Sequence, residues 1–284
     1  MEYSAADIAE ATSLQYLAYL YTSLATFWTY DYACSLHEEW KFLLRSRWTK
    51  VKGLYIITRH VPFFLISMDI YLTFAPSGNP NKCRTLGNIY VCFGVISLTC
   101  SECFFVLRTY ALWDKNRIVL AAMVSTYVAG IVASIGIRFA TIPTSYVTTS
   151  AIPGITGCYR TSRSAEVFLP FLLMCVFQLG LISLTLICVV RSWRATRSPL
   201  FVILVKHNIF YYACGLVLSA VNILLPVLVS NSAYYTVIQD FQVFILAILA
   251  TSMHLHLWRI DQHVHGSDLV CISLSDMSPA DPYM

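Results

Sequence analysis

The sequence predicts an all-α fold: a polytopic integral membrane protein, a bundle of seven transmembrane helices with the N-terminus outside and the C-terminus in the cytosol. Three observations carry this. Of 284 residues, 57% are hydrophobic and 12% are charged, against about 45–50% and about 25% in soluble domains. The mean hydropathy of +0.64 comes from long uncharged stretches that recur along the whole chain, the mark of helical membrane proteins. The basic residues, finally, fall unevenly on the two sides of those stretches.

A bilayer core about 30 Å thick takes about 20 helical residues, and seven segments meet that length: residues 14–36, 52–75, 86–112, 118–140, 166–190, 200–229 and 234–258. Ahead of them, residues 1–13 carry Glu2, Asp7 and Glu10 without Lys or Arg. They lack the basic start of a cleavable signal peptide and read as a short extracellular N-terminus. Pro76, Gly78 and Pro80 separate spans two and three, and Pro143, Pro153, Gly154 and Gly157 break the chain between four and five. Pro170 and Pro226 fall inside spans five and six, where each frees a backbone carbonyl and predicts a kink. Residues 259–284, polar and ending in Pro279 and Pro282, read as a disordered cytoplasmic tail.

Orientation follows from Lys and Arg, which stay cytoplasmic in short loops. Thirteen fall on one side, in the loop after span one, at the end of span three, between spans five and six and in the tail; five fall on the other, with Arg59 inside span two. Trp40, Trp48, Trp113, Trp193 and Trp258 mark the same basic boundary, where amphipathic rings prefer the headgroup level. The net charge of +4 is therefore a topology signal, and no nucleic-acid partner is indicated. Cys83 and Cys158 then lie in outer loops on the oxidising side, candidates for a disulfide tying span three to the loop after span four; free loop thiols are the alternative.

Charges inside the membrane cost at least about 2.5–3.5 kcal/mol each, so each needs a partner or a role. Asp31, Arg59 and Glu102 fall at similar depth on spans one, two and three, toward the basic side, and are expected to cluster. Such a cluster serves either as a switch or as a static lock of helix register. Near the other side, Asp69 and Asp240 on spans two and seven, with Tyr16, Tyr71, Gln178 and Asn222, are candidates to line an outer pocket for a cationic ligand; facing outer water is the alternative. His254 and His256 are about 200° apart around a helix and cannot share one ion. A composite site of His60, His207, one of that pair and Glu102 is conceivable, but no metal-binding motif is present and no metal or cofactor is expected.

The runs YDYACSLHEEW (Tyr30 to Trp40), RSRW (Arg45 to Trp48) and KGLYIITRHVPFF (Lys52 to Phe64), with LRTYALWDKNR (Leu107 to Arg117), resemble a basidiomycete family of seven-helix membrane proteins whose N-terminal domain has unknown function. The matching positions are Tyr30, Asp31, Glu38 or Glu39, Trp48, Lys52, Arg59 and Pro62, and the likeness is best over residues 35–115. The resemblance implies a fungal integral membrane protein and no biochemistry.

Likeness to G-protein-coupled receptors is by architecture alone. Span three offers Leu107, Arg108, Thr109 and Tyr110 where those receptors have an Asp-Arg-Tyr triplet. The sequence reading is a receptor-like protein of the plasma membrane or an endomembrane. It senses a small extracellular ligand and signals to a cytosolic protein through a basic face of Arg108, Lys115, Arg117, Arg191 and Arg194. Arg108 has the simpler reading of an interfacial anchor beside Trp113. The rivals are a small-solute or lipid transporter, an intramembrane metal-dependent lipid hydrolase, and a structural or assembly partner. No catalytic residue is assigned.

Overall fold

A computed structural model describes residues 5–74, 80–141, 146–149, 158–161, 164–191, 199–228 and 232–275. Among them are seven helices and one two-stranded hairpin: α1 (Ala5–Arg45), α2 (Lys50–Phe74), α3 (Pro80–Leu112), α4 (Arg117–Thr141), β1 (Tyr146–Thr149), β2 (Cys158–Thr161), α5 (Ser164–Arg191), α6 (Pro199–Leu228) and α7 (Ser232–Ser275). Helices α3 to α7 each contain a stretch long and apolar enough to cross a membrane, so the chain is an integral membrane protein. Helices α1 and α2 fall short because α1 is rich in Tyr and Thr and ends in charges, and α2 carries Arg59, His60 and Asp69.

Cross-helix contacts fix how the helices run. Gln178 of α5 meets Glu102 of α3, and Cys188 meets Leu112, so α3 and α5 run the same way. Tyr212 of α6 meets Thr109, and Ser219 meets Gln178, so α6 runs opposite to both. The bundle thus has one end marked by the hairpin, where β1 pairs antiparallel with β2 from Tyr146 opposite Thr161 to Thr149 opposite Cys158. The other, basic end holds the α1–α2 and α3–α4 connections.

Both connections are built locally. Lys52 is buried and its Nζ donates to the Leu43 and Ser46 carbonyls at 2.7 and 2.9 Å, capping the last turn of α1 with a cation. Between α3 and α4, Asp114 and Lys115 take the left-handed conformation with φ of 50° and 57°. The Asn116 side chain then accepts from the Ile118 amide at 2.9 Å, capping α4.

Three clusters make the core, and α7 supplies residues to each. Leu17, Tyr21, Leu24 and Trp28, a helical stripe on α1, pack with Leu65 of α2 and Val237, Phe244 and Ala247 of α7. Phe105, Met174, Phe177, Leu181 and Tyr212 join Leu246 between α3, α5 and α6. Phe42, Tyr55 and Phe104 close on Ala250 and Leu255 at the basic end.

The structure corrects several expectations. The connection between α4 and α5 holds a short hairpin beside an otherwise all-helical chain. Cys83 lies in the first turn of α3, not in a loop, because Pro80 opens the helix as a proline does at its first position. Helix α7 continues to Ser275, beyond residue 258, where the seventh span was expected to end. Pro170 and Pro226 fall inside α5 and α6, as expected of their spans.

Candidate functional site

Among the described residues, three groups of polar side chains are stacked inside the bundle from the basic end to the hairpin end. The first centres on Arg59, which is 1% exposed. Its Nη1 donates to Asp31 Oδ2 at 2.7 Å, its Nη2 bonds the Ser35 hydroxyl, and its Nε is paired with Glu39. The guanidinium carbon also lies 5.4 Å from the Trp28 ring and 5.3 Å from the Tyr32 ring, within the range of a cation–π contact. Asp31, Ser35 and Glu39 stand four residues apart, so α1 presents all three along one face to a single arginine of α2. Glu39, also buried, is a member that the charge reading missed; its spacing from Asp31 was the available signal.

Glu102 does not belong to that group. It is fully buried and accepts from Gln178 Nε2 at 2.9 Å. Phe104, about 200° further round α3, fills the side toward α1, α2 and α7, which turns Glu102 to α5 and α6. Glu102 opens the second group instead. Ser219 donates to Gln178 Oε1 at 3.2 Å, Gln242 Nε2 to Ser219 Oγ at 2.8 Å, and Asn222 Nδ2 to Gln242 Oε1 at 2.6 Å. This amide chain links α3, α5, α6 and α7. Gly215 makes room for it: a methyl group there would stand 3.0 Å from Gln178 Nε2.

The third group joins the two aspartates. Tyr21 donates to Asp240 Oδ2 at 2.7 Å, and Tyr90 donates to Asp69 Oδ2 at 3.1 Å. Both carboxylates are buried and lie within each other's field, with no Lys or Arg paired to either among the described residues. Gln178 and Asn222 are not part of this site, because their amides are committed to the second group. Tyr71 points away: two residues beyond Asp69, it is 56% exposed and lines an apolar groove of about 330 Å³ between α2 and α3 with Phe64, Met68, Leu86 and Phe93. Tyr16 is exposed as well.

At the basic end, Lys115, Arg117 and Arg191 are exposed, and Arg194 lies outside the described residues. Arg108 is not on that face. It is 6% exposed, its Nη2 donates to the Ala250 carbonyl at 2.9 Å, and the rings of Phe104 and Phe105 lie 5.9 and 5.8 Å from its guanidinium carbon. The nearby reading of Arg108 as an interfacial anchor fails for the same reason. Trp113 sits apart from it, donating to the Leu184 carbonyl at 3.2 Å.

The histidines stand in separate places. The His254 ring lies among Phe42, Phe104 and Tyr55, with centroids 5.4, 5.3 and 5.8 Å away. His60 Nδ1 is 2.9 Å from the Ile56 carbonyl, and His256 is exposed. Among the described residues no three His, Cys, Asp or Glu side chains gather as metal ligands, and the His207 side chain lies outside them. Seven described cysteines are free, and Cys83 is buried.

No curated protein and no solved structure matches the chain. Residues 19–64, which hold Trp28, Asp31, Ser35, Glu39 and Arg59 and so the whole first group, match a family of unknown function, DUF6533.

Proposed function

We propose that the chain is a receptor-like seven-span membrane protein, with the hairpin end outside and the basic end in the cytosol, that takes a cationic ligand group at Asp69 and Asp240. The carrying observation is the pair of buried carboxylates on α2 and α7, served by tyrosine hydroxyls and no basic side chain among the described residues. An ammonium group between them neutralises charge that the apolar surroundings otherwise penalise. Helix α7 carries the connection onward. Asp240 lies two residues from Gln242 in the amide chain, and the same helix accepts from Arg108 at Ala250. A ligand that draws α2 and α7 together therefore acts on both of the deeper groups, and Lys115, Arg117, Arg191 and Arg194 supply the basic face for a cytosolic partner.

In this reading Cys83 pairs with Cys158, holding the hairpin over the outer end of α3. Non-reducing peptide mapping should find the two peptides linked, and alkylation of both thiols without reductant would refute the bridge. Orientation is tested in intact cells: a tag before Met1 should be open to antibody and one after Met284 closed. Ligand binding is tested on the purified protein with a panel of primary and quaternary ammonium compounds. At least one should raise the melting temperature, and Asp240→Asn should abolish that rise; a panel without effect on the wild type refutes the cation site.

A further inference from the structure

Among the described residues, two buried arginines stand in opposite condition. Arg59 is neutralised by two carboxylates and a hydroxyl. Arg108 is equally enclosed, yet no carboxylate pairs with it among the described residues, and its Nη1 is buried without a hydrogen-bond partner. An arginine stays charged in proteins, so this is an uncompensated cation inside the basic end of the bundle, where an unpaired buried donor is costly.

A second orphan lies on the helix that faces it. Asn208 of α6 is fully buried, and neither its Nδ2 nor its Oδ1 has a partner. It stands one turn before Tyr212, whose hydroxyl lies 2.7 Å from Thr109 Oγ1 and donates to the Phe105 carbonyl at 3.0 Å. The phenols of Tyr211 and Tyr212 are both in the field of Arg108. Arg108 and Asn208 thus flank the same α3–α6 seam, with His254 of α7 also within reach of the arginine's charge.

These groups define a ligand by what they lack. The guanidinium asks for an anion, and the asparagine amide nitrogen asks for a further acceptor. The asparagine oxygen asks for a donor. A carboxylate or a sulfate supplies only acceptors; a phosphate bearing an ionisable O–H supplies both. We propose that Arg108 and Asn208 form a binding site at the basic end for a phosphate group that bears an ionisable O–H, either the headgroup of phosphatidic acid or free phosphate. The exposed Lys115, Arg117 and Arg191 at that end draw such anions toward it. The site is independent of the outer aspartates.

The test uses the full chain in nanodiscs of neutral lipid. Inorganic phosphate is titrated against sulfate at equal ionic strength, and discs with phosphatidic acid are compared with discs holding phosphatidylglycerol, whose phosphate diester has no O–H. Phosphate or phosphatidic acid should raise the melting temperature and appear as a bound adduct in native mass spectrometry. A response to phosphate identifies the free anion, and a response to phosphatidic acid alone identifies the lipid. Asn208→Leu, which removes both orphan atoms at similar volume, should keep the fold and weaken binding at least tenfold; Arg108→Gln should abolish it. Sulfate and phosphatidylglycerol acting equally well would overturn the proposal, as would no response from the wild type or an undiminished response in Asn208→Leu.

Discussion

Helices α1 and α2 are joined by charge, whereas α3, α5, α6 and α7 are joined by amides. In the first pair one guanidinium bridges two carboxylates. In the second, four neutral side chains pass hydrogen bonds from Asn222 to Glu102, and a single ionisable group ends the chain. Ion pairs in a low-dielectric interior repay desolvation only when every partner is present, so the α1–α2 joint is unforgiving of single losses. An amide can turn to find another partner, and measured interhelical hydrogen bonds in membranes average well under the ideal. The amide joint is thus the softer of the two. It is also the one that adjoins both the Asp69–Asp240 pair and Arg108.

The largest effect that tests this contrast is expected at Arg59. Arg59→Leu strands Asp31 and Glu39 in the bundle, a loss of about 3–5 kcal/mol, seen as a collapse of folded yield in detergent. Adding Asp31→Asn and Glu39→Gln to the same chain should restore most of it. If the single variant folds as well as a lipid-facing substitution, charge does not hold the joint.

Gly215→Ala should come next, because the added methyl meets Gln178 at 3.0 Å. Overpacking of this kind costs about 1–3 kcal/mol, and displacement of Gln178 should also uncouple Glu102 from α6. Glu102→Gln should move the melting temperature less than Gly215→Ala, since an amide can still face Gln178; the reverse order would make the joint ionic after all. The smallest effect belongs to the turn: Lys115→Gly, at a φ of 57°, should raise stability by up to about 1 kcal/mol. A fall would mean that the lysine side chain holds the turn.

The helices, their order and the placing of Asp31 beside Arg59 were legible because depth and period along a helix follow from residue spacing alone. What spacing along one helix cannot give is the rotation of that helix against its neighbours. Glu102 has the right depth for Arg59 and the wrong azimuth, fixed by where Phe104 packs. Tyr71 fails as a pocket residue for the same reason, half a turn from Asp69. Arg108 was misplaced differently: a count of basic residues near a membrane boundary treats each as solvated, and only the packing of Phe104, Phe105 and Ala250 shows this one enclosed. Glu39 was readable in its spacing, four residues from Ser35 and eight from Asp31, and was passed over because the span was ended before it.

Helix α4 stands apart from these joints. Only 6% of its apolar window is buried, and Ile118, Val124, Val128, Val132 and Ile135 are exposed along it. Its hold on the bundle runs through Met123 and Tyr127, the latter 4.9 Å from the Phe177 ring, and through the tight turn at Asp114 and Lys115. Hydrophobic mismatch therefore has an outlet. In a bilayer thicker or thinner than its apolar length, tilting α4 about that turn costs few contacts, while tilting α3 or α7 disturbs every polar group in the core. Lipid thickness should be felt first at α4, leaving the interior networks undisturbed.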